Sequence, residues 1–215
     1  MKNQVIPTVF AENKKDFKER FDKLVKIAKN IQIDFMDGKF VRSKGIKISD
    51  IPNLHRYKNK FEAHLMCFSP GKYIPALKKK GFKKIIFHYE ACRGSKDVSK
   101  IVELIKSKRI EAWIAINPET SIGRLRLYLS KVDGVLFMGV YPGKEHQKFI
   151  SPVYKKIKKL RKMSRKTNIQ VDGGVNLQTS SKLAKLGVNY VNTGSFVADA
   201  GKPREALKRL EKAFK

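Results

Sequence analysis

Ile31-Gln32-Ile33-Asp34-Phe35 alternates apolar and polar side chains, the period of a β-strand in which Gln32 and Asp34 point to one face. The pattern recurs at Glu62-Ala63-His64 and Gln170-Val171-Asp172, each again with apolar residues between and beside the polar ones. Strands of a parallel sheet are covered on both faces and read as nearly continuous apolar runs. Polar groups buried there are costly unless they are paired or bound to a metal. A chain that sets them there three times is building a site.

Working outward, strand patterns fall at 4–9, 31–35, 61–66, 84–88, 111–116, 133–138, 168–172 and 189–193. Helical patterns alternate with them near 13–29, 70–80, 97–108, 121–130, 151–165, 177–186 and 203–214, while 46–58, which contains Pro52, reads as an irregular crossover. Repeated strand–helix units imply parallel strands joined by right-handed crossovers. Eight of them, with no linker between, predict a single α/β domain over residues 1–215, a (β/α)8 TIM barrel. An open doubly wound sheet is the alternative, but its Gly-x-Gly-x-x-Gly turn after the first strand is missing. Barrels place catalytic groups at the carboxyl ends of their strands. Asp34, His64 and Asp172 all lie near such ends, so three distant positions converge on one mouth.

Composition sets the remaining bounds. The 41% apolar and 31% charged residues suit a folded globular chain rather than a disordered one. The 48 Lys and Arg against 19 Asp and Glu give a net charge of +29, a field that attracts anionic metabolites and polyanions. Its carriers sit at helical spacing around apolar residues, as in Lys155–Lys166 with Ile157, Leu160 and Met163, which reads as solvated helix faces. There is no nucleic-acid-binding motif, so no specific nucleic acid is expected as a partner. Cys67 and Cys92 make no disulfide framework, and a reducing, cytoplasmic location is expected. The first residues do not read as a signal peptide, and no apolar run approaches the ~20 residues that cross a membrane.

Six stretches in order resemble the ribulose-phosphate 3-epimerase family of ketose-phosphate epimerases. They are residues 33–41 (IDFMDGKFV), 61–66 (FEAHLM), 116–120 (INPET), 132–138 (VDGVLFM), 147–150 (QKFI) and 171–176 (VDGGVN). The resemblance implies one divalent metal ion (Zn, Fe, Mn, Co or Mg) held by Asp34, His64, Asp172 and the residue at position 32. The family carries His at that last position; this chain carries Gln32, whose amide oxygen is a poorer ligand for Zn or Fe than for harder ions. It also implies that Asp34 and Asp172 are catalytic, removing a proton on one face of carbon 3 and returning one on the other. Further implied are Met36, Met66 and Met138 lining the site and Thr8 beside the substrate. The glycine loops Gly173-Gly174 and Gly194-Ser195 would take the phosphate.

After strand six the family has a glycine-rich covering loop. Here it reads Tyr141-Pro142-Gly143-Lys144-Glu145-His146-Gln147, with Gly143 retained and Lys144 or His146 as candidate phosphate contacts. His88 reads either as a mouth residue or as core, and Arg42 as a surface residue. The resemblance implies a sugar-phosphate partner, most simply D-ribulose 5-phosphate converted to D-xylulose 5-phosphate, and a homo-oligomer. A second reading stays open at position 32 and the altered loop: an epimerase-like barrel that binds sugar phosphate or polyanions without turnover.

Overall fold

In the computed structural model, which describes residues 3–215, the alternating stretch becomes strand β2 (Asn30–Met36). The other strands are β1 (Gln4–Val9), β3 (Lys60–Met66), β4 (Lys84–His88), β5 (Glu111–Ile116), β6 (Gly134–Met138), β7 (Asn168–Asp172) and β8 (Tyr190–Thr193). All pair in parallel with their sequence neighbours, and β8 returns to β1 to close the barrel. Closure leaves the barrel without an unpaired strand edge among the described residues. The helices are α1 (Lys14–Leu24), α2 (Ile74–Lys80), α3 (Ser95–Ser107), α4 (Pro152–Met163), α5 (Leu177–Lys185), α6 (Ser195–Ala198) and α7 (Pro203–Ala213).

Local sequence explains these elements and their ends. Asn13 caps α1 by accepting from the Asp16 amide, and Asn176 caps α5 by accepting from those of Gln178 and Thr179. Gly81, at φ +105°, ends α2 in a left-handed turn open to glycine at little cost. Helix α4 buries Val153, Ile157 and Leu160 against the barrel and turns Lys155, Lys158 and Lys159 to solvent. The basic residues do form solvated helix faces there.

The helix expected near 121–130 is instead a 3-10 turn, Ile122–Leu125, followed by further turns. Its buried residues Ile122, Leu125 and Tyr128 recur every third position, matching a 3-10 period rather than 3.6. The backbone bonds from Arg126 to Gly123, Tyr128 to Leu125 and Lys131 to Tyr128 have the same three-residue reach. The crossover at 46–58 is irregular, with short 3-10 turns at Ile48–Asp50 and Leu54–Arg56.

Two apolar layers result. Outward-facing strand residues such as Ile33, Ala63, Ile85, Ile114 and Val171 pack beneath the helices, while Ile86, Trp113, Ala115, Leu136 and Met138 fill the barrel. Alternation then leaves the other inward positions to Gln32, Asp34, Glu62, His64, Lys84, Gln170, Asp172 and Asn192, all buried. At the base of the interior the Lys84 ammonium lies 4.0 Å from the Trp113 ring centroid and 4.7 Å from that of Tyr190. Nearer the mouth the polar side chains face one another.

Candidate active site

Register places the first two members of the site side by side: Asp34 on β2 pairs with His64 on β3. Asp172 closes β7 next to Asn192 of β8. Ligand atoms of Asp34, His64 and Asp172 lie within 4.8 Å of one another, all three residues being buried. His64 Nδ1 stands 3.1 Å from Asp34 Oδ1 and 3.4 Å from Asp172 Oδ2.

These neighbours set the charge state. Burial alone would lower the His64 pKa, but its hydrogen bonds to Asp172 and Asp34 outweigh burial and raise it to about 10. Burial pushes Asp34 up to about 6, with the His64 interaction opposing it. The other ring nitrogen, His64 Nε2, is 2.9 Å from His88 Nε2. An imidazolium at 64 must donate there, which assigns the neutral His88 proton to Nδ1, facing Glu90 Oε2 at 3.4 Å. Burial and the charge on His64 lower the His88 pKa, although Glu90 opposes them, in keeping with a neutral ring. Glu90 is fixed in turn by the Asn117 amide at 2.9 Å and by the Thr120 hydroxyl. His88 therefore backs His64 from within the core, and Glu90 is a partner that sequence reading missed. Its signal was its place two residues beyond His88.

Asp34, His64 and Asp172 offer two carboxylate oxygens and an imidazole nitrogen, a donor set that fits a divalent ion. Gln32 as placed does not fit. Its Nε2 points at the carboxylates, 2.9 Å from Asp34 Oδ1 and 2.6 Å from Asp172 Oδ2. Its oxygen turns away to accept from Asn192 Nδ2 at 2.9 Å.

Above these groups a cavity of about 70 Å³ is lined by Thr8, Phe10, Met66, Met138 and the loop 141–147. Gly143, Gly173, Gly174, Gly194 and Ser195 also border it. Gly173 and Gly174 have φ of +96° and +67°, and a methyl group on Gly173 would sit 2.3 Å from Val140. Both positions need glycine. Met36 is not at the cavity wall; it packs with Met66, Val41, Phe10 and Phe40. Arg42 is exposed.

Within the loop, Glu145 is the residue whose charge turns inward. One oxygen pairs with Arg20 at 2.8 Å, while the other is buried without a partner, within 2.6 Å of where a Gly194 side chain would start. Burial raises the Glu145 pKa despite Arg20. Lys144 and His146 are exposed, and His146 lies 3.6 Å from Asp199. A period-based reading gives no side-chain direction in a loop, so Glu145 went unnoticed.

The comparisons with known proteins agree with this geometry. The chain is 32% identical over 194 residues to a ribulose-phosphate 3-epimerase of Bacillus subtilis, covering 84% of each chain. It is 28% identical over 212 residues to one from Schizosaccharomyces pombe, covering 96% of this chain and 92% of that one. The rice protein named as a cytoplasmic isoform is 27% identical over 98% of this chain and 93% of its own. A tryptophan synthase structure from M. tuberculosis superposes with a TM-score of 0.71 at 10% identity, over 100% of this chain and 94% of that one, a likeness of fold alone. The family model described as "Ribulose-phosphate 3 epimerase family" matches residues 4–198, and the chain belongs to that family.

Proposed function

We propose that the protein is a ketose-phosphate 3-epimerase that interconverts D-ribulose 5-phosphate and D-xylulose 5-phosphate. The observation that carries this reading is the convergence of Asp34, His64 and Asp172 at the mouth of the closed barrel. One carboxylate takes the proton from carbon 3 and the other, protonated, delivers one to the opposite face. Asp34, at about 6, can both accept and release a proton near neutral pH. The His64 imidazolium presents positive charge beside the carboxylates and the developing enediolate. A divalent ion held by Asp34, Asp172 and a deprotonated His64 would displace that proton and take over the stabilisation of the enediolate oxygens. Thr8, Met66 and Met138 bound the reacting carbons, and Gly173, Gly174, Gly194 and Ser195 receive the phosphate. A cytoplasmic location and a homo-oligomeric state belong to the same proposal.

Incubation with each sugar phosphate in heavy water, with Mn, Zn, Fe, Co or Mg in turn, tests the reading. Solvent deuterium is expected at carbon 3 of both epimers. Its absence under every ion would leave a barrel that binds without turnover.

Glu145 adds a second expected result. Its carboxylate at the cavity wall opposes a phosphate dianion, and the Arg20 guanidinium paired with it offsets most of that repulsion, leaving about 1.4 kcal/mol, which is tenfold in affinity. Glu145→Gln is expected to lower KM about tenfold, with inorganic phosphate becoming a correspondingly stronger competitor. A higher KM would mean that the Arg20–Glu145 pair serves chiefly to hold the loop in place.

A further inference from the structure

The orientation of the Gln32 amide is dictated from below. Lys84 Nζ can only donate, and it does so to Gln170 Oε1 at 2.9 Å and to Glu62 Oε2 at 2.8 Å. Gln170 Nε2 must then face away from the ammonium, and it donates to Asn192 Oδ1 at 2.6 Å and to Glu62 Oε1. Asn192 Nδ2 in turn donates to Gln32 Oε1 at 2.9 Å and to Glu62 Oε1 at 3.2 Å. This leaves Gln32 Nε2 for the two catalytic carboxylates.

Every member of this relay is buried, and each amide nitrogen spends both hydrogens. Turning the Gln32 amide alone would set its nitrogen against Asn192 Nδ2 and its oxygen against two carboxylates. Turning all three amides would set Gln170 Nε2 against Lys84. Both arrangements bury mispaired polar groups. The Gln32 nitrogen and His64 Nδ1 thus approach the same two oxygens, Asp34 Oδ1 and Asp172 Oδ2.

We propose that Gln32 is a positioning residue that bridges Asp34 and Asp172 with its two N–H groups, held in that orientation by the Lys84–Gln170–Asn192 relay. It fixes the spacing of the carboxylate pair without a metal ion and presents hydrogens where a fourth ligand would present a lone pair. Its positioning role rests on the reading of Asp34 and Asp172 as the proton-transfer pair; its orientation does not.

Metal-stripped wild type, Gln32→Leu and Gln32→Met are titrated with Mn²⁺, with free ion followed by electron paramagnetic resonance. If the amide points its hydrogens inward, both variants bind Mn²⁺ as tightly as wild type or more tightly. Weaker binding in the variants would show that the Gln32 oxygen is a ligand and would overturn the proposal. In kinetics of carbon-3 exchange, kcat is expected to fall at least tenfold with KM within threefold; an unchanged kcat would overturn the positioning role. Should the variants not fold, wild type labelled with ¹⁵N-glutamine decides: the side-chain hydrogens of Gln32 and Gln170 exchange slowly in the metal-free protein, and fast exchange at Gln32 overturns the proposal. If wild type exchanges no deuterium with any ion, the epimerase reading fails, while the Mn²⁺ titration still settles how the amide is oriented.

Discussion

An Asp34→Asn, Asp172→Asn protein is expected to fold and to lose solvent exchange at carbon 3. Each side chain keeps its shape, so packing at the mouth is retained while both proton carriers are removed. General acid–base catalysis contributes about 10²–10⁴-fold for a positioned group, and either single change is expected to cost that much in kcat. The double variant is expected to lose little more than the worse single variant, because residues acting as one unit are not additive. A change in the His64 environment accompanies the loss. The hydrogen bonds to Asp172 and Asp34 are what raise its pKa to about 10, so without them burial favours the neutral ring. NMR of the histidine ring follows this directly. Full activity in the double variant would remove these carboxylates from the mechanism.

The largest stability effect is expected at the base of the barrel. Lys84→Met leaves the Glu62 carboxylate buried without its ammonium partner, which stands 2.8 Å away, and removes the cation from between Trp113 and Tyr190. Breaking a buried ion pair from one side costs about 3–5 kcal/mol. At about 2–4 °C per kcal/mol for a domain of this size, the melting temperature is expected to fall by roughly 6–20 °C. Replacing both partners, Glu62→Leu with Lys84→Met, is expected to recover part of the loss, since an apolar pair carries no uncompensated charge. A Lys84→Met melting temperature within 2 °C of wild type would show that the Lys84–Glu62 pair does not carry this stability. The same variant frees the relay that orients Gln32, so its Mn²⁺ affinity reports on both ends of the barrel.

Much of this was legible in the sequence, for reasons that differ from residue to residue. The strand positions follow from alternation and apolar runs, and each predicted strand end lies within one residue of the observed one. The convergence of Asp34, His64 and Asp172 follows from barrel topology once eight strand–helix units are counted. What the sequence leaves open has a common cause: it concerns where side chains point rather than where the chain goes. Gln32 was weighed as an oxygen ligand, because a sequence contains no partner for the other half of its amide; Asn192 supplies that partner from 160 residues away. Glu145 lies in a loop, where no period assigns a face. Met36 has the spacing of a mouth residue and packs behind the cavity-lining Met66 and Phe10, with Val41 and Phe40. At 121–130 the apolar pattern was real, but its period was three.

The outward lysine faces of the helices govern how quickly a small anion arrives as well as what the protein attracts. With a net charge of +29, the whole surface draws a sugar phosphate from bulk solution before any contact at the mouth is made. Screening acts over about 8 Å at physiological ionic strength, so the capture rate should fall steeply with added salt while the turnover of bound substrate stays constant. For an enzyme working below saturation, the lysines within about that distance of the mouth then help set the flux, while those on the far side of the barrel are screened.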